Sequence, residues 1–208
     1  MEYSPANALR CARLATRDER PRFNHAWAFG RETVDTWGCD YAPSNVGWIK
    51  QHLTNDIKAL VNTDVPHLPF PDGYFDVVTA FSVFTHIDVL EDAWLLELRR
   101  ITRPGGLLYL TIHNEATWEK LRERPEARAH LSRAIDPPDD LDLTEARVAG
   151  PMPRQRFALR MSRDDIYNCN VWMSSDYVRE QWSRYATVAA IADNAHLHYQ
   201  SVVLLTVD

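Results

Sequence analysis

Short segments with a strand pattern alternate along the chain with segments of helical periodicity. Runs rich in apolar, β-branched or aromatic residues occupy residues 33–39 (TVDTWGC), 57–62 (IKALVN), 75–81 (FDVVTAF) and 107–112 (LLYLTI). Such short runs suit strands that are buried on both faces of a sheet. After the first run, Val46, Ile49 and Leu53 recur at helical spacing. Strands that alternate with helices predict crossover connections and a mostly parallel sheet.

A longer amphipathic helix is predicted between Asp88 and Arg103. Asp88 and Glu91 have the spacing of a capping box at its start. Its apolar face is formed by Ala93, Trp94, Leu95, Leu98 and Ile101. Pro104 cannot continue the helix, and the glycines at 105–106 favour a reversal into the strand at 107–112.

The end of the chain predicts one more helix and an antiparallel hairpin. Ser175 is expected to cap a helix that continues through Tyr185. Residues 187–192 (TVAAIA) and 196–207 (HLHYQSVVLLTV) then have strand patterns and are close enough in sequence to pair with each other. The predicted fold class is therefore an α/β sandwich, with a mostly parallel sheet and a C-terminal antiparallel hairpin.

The beginning of the chain fits this scheme less well. Residues 6–16 (ANALRCARLAT) are rich in Ala, Leu and Arg and predict a short helix. Residues 22–29 (RFNHAWAF) are a second candidate strand, but only residues 30–32 separate them from the strand at 33–39. A parallel crossover needs about a dozen residues or more, so this segment is a poor parallel neighbour.

Composition limits the classes of function. The 208 residues are 45% hydrophobic and 25% charged, with a formal net charge of -6, which predicts one globular domain over residues 1–208. The acidic balance argues against a nucleic-acid partner and favours small molecules. No apolar run is long enough to span a bilayer, and the first residues have no signal-peptide pattern, so we expect a cytoplasmic protein with no membrane partner. The three cysteines are widely spaced and are interpreted as free thiols.

Two segments resemble a known family. The run LPFPDGYFDVVTAFSVFTHI at residues 68–87 and the run WLLELRRITRPGGLLYLTI at residues 94–112 resemble the central part of class I S-adenosylmethionine (SAM) dependent methyltransferases. The resemblance implies a Rossmann-like sandwich, SAM as the cofactor, and methyl transfer by in-line displacement to a small-molecule acceptor. Outside residues 122–166, it extends over most of residues 33–208.

The cofactor-binding candidates stand at predicted strand ends, where ligands bind in open parallel sheets. Asp40 follows the strand at 33–39, and the resemblance implies that Asp40, with Tyr41 beside it, binds the SAM ribose; the alternative for Asp40 is a helix-capping loop residue. Asp64 and Val65 are implied to bind adenine, while a solvated turn is the alternative for Asp64.

Phe81 and Ser82 end the strand at 75–81, where the resemblance implies an approach to the methionine part of SAM. For Phe81, plain core packing is the alternative.

Two histidines are candidate catalytic residues. His86 could accept a proton from the acceptor or could hydrogen-bond a neighbouring loop, and His113 follows the strand at 107–112, where it could face substrate. The pair His196 and His198 would share a strand face, but no third ligand is evident, so no metal site is predicted.

Residues 122–171 are an insertion relative to the resemblance. They include the irregular run DPPDDLDL and lie next to an aromatic cluster. Its members are Tyr167, Trp172, Tyr177 and Trp182. A loop of this length is usually a functional cover or a mobile segment. We expect a substrate cover that determines the acceptor and not the cofactor, with aromatic packing beneath it as the alternative.

One motif of the family is not found. Class I methyltransferases start with a strand and a loop of the form Gly-x-Gly-x-Gly, whereas the glycines before Asp40 are the isolated Gly30 and Gly38. The first strand is therefore expected to be missing. The chain would then bind SAM weakly, or would take a strand from a partner or from a second copy of itself. A non-catalytic, methyltransferase-like binding or regulatory subunit is the alternative function.

Overall fold

The computed structural model of the protein describes residues 9–14, 34–52, 57–134, 150–163 and 167–208. The strands are β1 (Leu9–Leu14), β2 (Val34–Asp40), β3 (Ile57–Val61), β4 (Phe75–Ala80), β5 (Thr102–Ile112), β6 (Arg156–Arg160), β7 (Cys169–Met173), β8 (Thr187–His196) and β9 (Gln200–Thr206). The α-helices are α1 (Pro43–His52), α2 (Glu91–Ile101), α3 (Glu115–Lys120), α4 (Pro125–Leu131) and α5 (Ser175–Gln181). Short 3-10 helices follow α3 and α5, at Leu121–Glu123 and Trp182–Arg184.

Seven of the strands in the described ranges form one sheet, in the order β3-β2-β1-β4-β5-β9-β8. The pairs β2/β3 and β4/β5 are parallel. Strand β1 is antiparallel to both of its neighbours, and β9 is antiparallel to both β5 and β8. All strands of this sheet except β1 and β9 consequently point the same way. The predicted α/β fold, with a mostly parallel sheet and a terminal antiparallel hairpin, is confirmed.

Strand β1 corrects the prediction for the beginning of the chain. Residues 6–16 were expected to form a helix, but Leu9–Leu14 is a strand between β2 and β4, and Leu9 pairs with Cys39 on one side and Ala80 on the other. Pairing with two neighbours satisfies backbone groups that an empty centre would leave unpaired, and this outweighs a weak helix propensity. The position of the expected missing strand is filled within the chain, in the opposite direction. Residues 22–29 lie outside the described residues.

The boundaries of the helices also differ in detail from the predictions. The residue before α2 is Leu90, which makes no side-chain cap, so the predicted capping box of Asp88 and Glu91 is wrong. Helix α5 is capped by Ser174, whose hydroxyl accepts from the Tyr177 amide, one residue before the predicted cap at Ser175.

The reversal after α2 requires glycine at position 106. A Cβ atom there would lie 2.6 Å from Thr102 Cγ2 and 2.8 Å from the carbonyl oxygen of Arg103. The backbone at the start of β5 therefore lies closer to its neighbours than a residue with a Cβ atom allows. Strand β5 then runs parallel to β4, so that the carboxyl ends of the two strands lie side by side.

The main core lies between the sheet and α2, and a second core lies under the insertion. The largest fully buried side chains of the main core are Leu68, Phe75, Phe84, Leu95, Leu98, Ile101, Leu108, Leu110, Ile112 and Trp182. The second core comprises Trp118, Leu121, Leu131, Phe157, Leu159 and Trp172. Much of the described part of the insertion is therefore packed structure, because β6 and β7 form an antiparallel pair. The run DPPDDLDL lies outside the described residues.

Within the described ranges, no helix is both long enough and apolar enough to cross a membrane.

Candidate functional site

A cavity of about 360 Å³ lies where the carboxyl ends of β2, β3 and β4 meet. Its walls come from all three strand ends, from α2 and from the insertion. The lining residues are Cys39, Asp40, Tyr41, Asn62, Thr63, Asp64, Ser82, Val83, Phe84, His86, Ile87, Trp94, Leu98, Tyr167 and Asn168. A cleft at the carboxyl ends of the strands is where an open α/β sheet binds its ligands.

The structure brings most of the predicted site residues together at this cavity. Those that line it are Asp40, Tyr41, Asp64, Ser82 and His86. Three others lie outside its lining, namely Val65, Phe81 and His113. Whether a predicted residue lines the cavity depends on how the chain turns at the end of its strand.

Asp40 is buried at the end of β2 and makes two local hydrogen bonds. Its Oδ1 accepts from the Ala42 amide at 2.8 Å, and its Oδ2 accepts from Asn45 Nδ2 at 2.9 Å. These bonds hold the turn that leads into α1, although neither donor is a backbone amide of the helix. Each carboxylate oxygen carries two lone pairs, so Asp40 can still accept further bonds from a ligand in the cavity.

The segment after β3 forms the rim of the cavity. The carbonyl oxygen of Asp64 accepts a hydrogen bond from the Tyr167 hydroxyl. Val65 has 58% of its surface exposed and lies beyond the lining, and its carbonyl oxygen accepts from the His67 amide at 2.7 Å. Asn62, Thr63 and Asp64 of this segment therefore line the cavity, and Val65 does not.

Ser82 turns the chain at the end of β4 and has a φ of 52°. Its amide donates to Thr111 Oγ1 at 2.7 Å, and its hydroxyl lies 2.7 Å from Gln200 Nε2. A non-glycine residue at positive φ costs on the order of 1 to 3 kcal/mol and is held only where its surroundings determine it. Gln200 of β9, which sequence reasoning missed, helps to hold this turn.

Phe81 packs away from the cavity. Its ring is stacked on His196, with centroids 4.8 Å apart, and makes an edge contact with Tyr109. Phe81 is half-buried and belongs to neither core cluster, so its approach to the cofactor stays a prediction. In the part of the chain that the structure describes, no group of three or more His, Cys, Asp and Glu side chains could hold a metal ion.

His86 lines the cavity and is tied to the insertion. Its Nδ1 donates to the carbonyl oxygen of Cys169 at 2.6 Å, and the Cys169 thiol donates back to the His86 carbonyl oxygen at 3.1 Å. A proton on Nδ1 leaves Nε2 as the acceptor of the neutral ring. Burial lowers the pKa of His86, so the neutral form is favoured at pH 7.

His113 directly follows β5, is buried, and does not line the cavity. Its ring packs against Trp172 at 4.8 Å and Tyr199 at 5.6 Å, and its Nδ1 has no hydrogen-bond partner among the described residues. Burial lowers the pKa of His113 to about 3. The prediction that it faces substrate finds no support in this geometry.

The enclosure of His113 predicts acid sensitivity of the fold. The pKa of His113 is near 6.5 in the unfolded chain and about 3 in the folded chain. The neutral buried ring therefore contributes its full stability above pH 6.5, and this contribution is lost as the pH falls towards 3. The expected slope is about 1.4 kcal/mol per pH unit in the free energy of unfolding. Urea unfolding of the parent, of His113→Phe and of the exposed-site control His198→Gln between pH 7.5 and 5 measures it. An unchanged slope in His113→Phe would refute the assignment.

The insertion reaches the same cavity as the predicted cofactor residues. Tyr167 and Asn168, which directly precede β7, stand in its lining beside Asp40 and Asp64. The expectation that the insertion determines the acceptor and not the cofactor stays a prediction, although these two residues lie at the same cavity as residues predicted to bind the cofactor. Trp94 and Leu98 also line the cavity, and they were recognised only as the apolar face of α2.

Comparison with known proteins finds similarity to methyltransferases over part of the chain. Residues 23–110 match the family model described as a methyltransferase domain. Over 83% of this chain, the fold matches a crystal structure of a protein from Pyrococcus horikoshii, with a TM-score of 0.53, 16% identity and 71% of that protein covered. The chain is therefore similar to methyltransferase domains over residues 23–110, which are less than half of its 208 residues, and it shares the fold of the Pyrococcus horikoshii protein.

Two curated methyltransferases are also similar to part of the chain. Over 63 residues the chain is 43% identical to the ubiquinone/menaquinone biosynthesis C-methyltransferase UbiE of Burkholderia cenocepacia. The aligned segment covers 29% of this chain and 24% of that protein. Over 97 residues it is 35% identical to UbiE of Paraburkholderia phymatum, covering 44% of this chain and 38% of that protein. The chain thus matches about a quarter to two fifths of the length of these curated relatives.

One solved structure in this fold contains a ligand. It is the 1,6-didemethyltoxoflavin-N1-methyltransferase of Burkholderia thailandensis with bound 1,6-didemethyltoxoflavin and S-adenosylhomocysteine. Its TM-score to the present chain is 0.51 at 10% identity, with 82% of this chain and 60% of that chain covered. At this identity the likeness shows the shared fold.

Proposed function

We propose that this protein binds SAM in the cavity at the ends of β2, β3 and β4 and transfers its methyl group to a small-molecule acceptor. The observation that carries the proposal is the meeting of Asp40, Asp64 and Ser82 at one cavity, although they follow three different strands. These are residues to which the sequence resemblance assigned the cofactor. The cavity volume of about 360 Å³ lies within the range of small-molecule sites.

The polar groups of the cavity fit the parts of SAM. The Asp40 carboxylate would accept from the two ribose hydroxyls, with the Tyr41 ring beside it. The Asp64 carboxylate, on the rim, would accept from the exocyclic amine of adenine, and the backbone at Val65 follows it. The turn at Ser82, held at positive φ, would bring backbone groups towards the methionine part.

The antiparallel direction of β1 changes one side of this cradle. In a parallel first strand the carboxyl end would lead into the glycine-rich loop at this edge, whereas here the Leu9 end of β1 pairs with Cys39 and Ala80. This observation favours the second candidate function, a methyltransferase-like binding subunit with weak SAM affinity. A direct binding measurement separates the two candidates.

Bound SAM supplies a methyl group on a sulfonium that is already activated as a leaving group. The protein therefore has to hold the acceptor in line and exclude water, and such positioning can replace much of the entropic barrier. For an acceptor that carries a proton at neutral pH, His86 is the proposed base, because its neutral ring keeps Nε2 as an acceptor at the cavity. The insertion, tied to His86 through Cys169, is proposed as the cover of the acceptor.

Asp40 provides the test of the cofactor site. Asp40→Asn keeps an oxygen for the Ala42 amide but removes the charge and an acceptor for the ribose hydroxyls. Hydrogen bonds to charged groups contribute roughly 1.5 to 3 kcal/mol, so the affinity for S-adenosylhomocysteine should fall about 10- to 100-fold. Calorimetric titration measures it. Asn45→Ala is the matched control, since it removes a partner of Asp40 and leaves the carboxylate in place.

Equal affinity of Asp40→Asn and the parent would exclude this site as the ribose site. A parent chain that gives no binding heat with S-adenosylhomocysteine, while it unfolds cooperatively, would instead favour the non-catalytic candidate.

A further inference from the structure

We propose that Tyr167 of the insertion forms a wall of the purine subsite, so that the adenine ring is held between Tyr41 and Tyr167. The inference rests on the proposed function and adds a residue that neither the sequence resemblance nor the comparisons assign. It makes the insertion a determinant of cofactor binding as well as a cover for the acceptor.

Tyr167 is held over the rim of the cavity by two hydrogen bonds. Its hydroxyl donates to the carbonyl oxygen of Asp64 and accepts from Trp94 Nε1 at 3.3 Å. The following residues are fixed to the end of β4, because the Cys169 carbonyl accepts from His86 and the Val171 amide donates to the Thr85 carbonyl at 2.8 Å. The tyrosine thus bridges β3 and α2 from an anchored segment.

The spacing of the two tyrosine rings suits a flat ligand after a small adjustment. Their centroids are 6.3 Å apart and their planes are inclined by 36°. A ring in van der Waals contact with both faces needs a separation of about 7 Å. The surface of Tyr41 is 59% exposed, so this side chain has room to turn and widen the gap.

The polar groups around the two rings favour a purine nucleoside over a simple aromatic ligand. Asp64, whose carbonyl oxygen accepts from the Tyr167 hydroxyl, lines the same cavity and has a carboxylate that can accept from an exocyclic amine, and Asp40, which also lines the cavity, directly precedes Tyr41. The nucleoside part of SAM combines these features with a flat heterocycle. An aromatic side chain can stack on any purine face, whatever its substituents.

The test compares ring and hydroxyl at position 167 by calorimetric titration with S-adenosylhomocysteine and with adenosine. Tyr167→Ala should lose about 5- to 150-fold in affinity for both ligands, the range of a single stacking contact. Tyr167→Phe keeps the ring and should remain within about threefold of the parent. Tyr185→Ala is the matched control, because Tyr185 is also half-buried but lies outside the cavity lining. Thermal unfolding confirms that each variant is folded.

The outcomes separate the two proposals. If the parent binds S-adenosylhomocysteine and Tyr167→Ala binds both ligands equally well, the purine subsite is wrong while the proposed function stands. Equal losses in Tyr167→Phe and Tyr167→Ala would assign the effect to the hydroxyl bond with Asp64 and would also overturn the stacking proposal. If the folded parent binds neither ligand, the proposed function itself fails.

Discussion

Replacement of Arg156 by methionine is expected to lower the free energy of unfolding by about 3 kcal/mol, the lower end of the range for breaking a buried ion pair. Arg156 stands at the start of β6 and contacts the start of α2. Its Nε donates to Glu91 at 2.7 Å, and its Nη1 donates to Asp88 at 3.1 Å. The lower end applies because 22% of the Arg156 side chain remains exposed.

The large effect comes from the carboxylate that would be left behind. Glu91 is 4% exposed, and its other oxygen accepts from Trp182 Nε1 at 2.6 Å. Without Arg156 this buried charge loses its charged partner and cannot be solvated. The total stability of a typical domain is only about 5 to 15 kcal/mol, so the change should be plain in a urea unfolding curve.

Arg160 provides the matched control for this prediction. It bonds Asp88 at 3.0 Å from the same strand, but 44% of its side chain is exposed. Exposed ion pairs contribute about 0.2 to 1 kcal/mol, so Arg160→Met should have a small effect. Adding Glu91→Gln to Arg156→Met should recover part of the loss, because it removes the buried charge. Similar curves for Arg156→Met and Arg160→Met would contradict this account.

Replacement of His86 by glutamine is expected to lower kcat by about 10²- to 10⁴-fold for an acceptor that must lose a proton, the usual contribution of a general base. The glutamine amide can still donate to the Cys169 carbonyl, so the tie to the insertion should survive. The affinity for S-adenosylhomocysteine should change little, since the base acts on the acceptor.

The pH dependence distinguishes a base from a structural residue. Burial lowers the pKa of His86 below its usual value near 6.5, so in the parent kcat should be constant near pH 7 and fall as the pH drops through the lowered pKa. His86→Gln should lack this acid limb, while the exposed-site control His67→Gln should retain it. Steady-state kinetics between pH 5 and 8, with an acceptor that the parent methylates, measure both effects. A variant with the parent's kcat and acid limb would rule out the role.

Local sequence determined the elements that repeat a simple pattern. The apolar runs at 57–62 and 75–81 correspond to β3 and β4, and the two runs near the end form the β8–β9 hairpin. In these segments, a run of neighbouring apolar residues predicts a strand that is buried on both faces, and an alternation of apolar and polar residues predicts a strand that is buried on one face. The places of Asp40 and Asp64 after predicted strands followed in the same way, because parallel strand ends meet at one edge of a sheet, while their cofactor roles were implied by the family resemblance.

Tertiary structure alone decided the role of segments whose partners lie far away in sequence. Leu9–Leu14 resembles a helix by composition but forms β1, since β2 and β4 offer it hydrogen bonds on both sides. Asp88 has the spacing of a helix cap, but its carboxylate forms ion pairs with Arg156 and Arg160 instead. Local propensities differ by less than about 1 kcal/mol per residue, so such long-range contacts outweigh them.

Tyr167 shows the same limit at the site. It lies 103 residues after Asp64, and the sequence identifies it only as one of several aromatic residues in and after the insertion. Its place in the cavity depends on the pairing of β6 with β7 and on the bonds between Cys169 and His86. The strand ends that could hold the cofactor were thus readable from neighbouring residues, whereas the wall that encloses them was decided by contacts that only the folded chain makes.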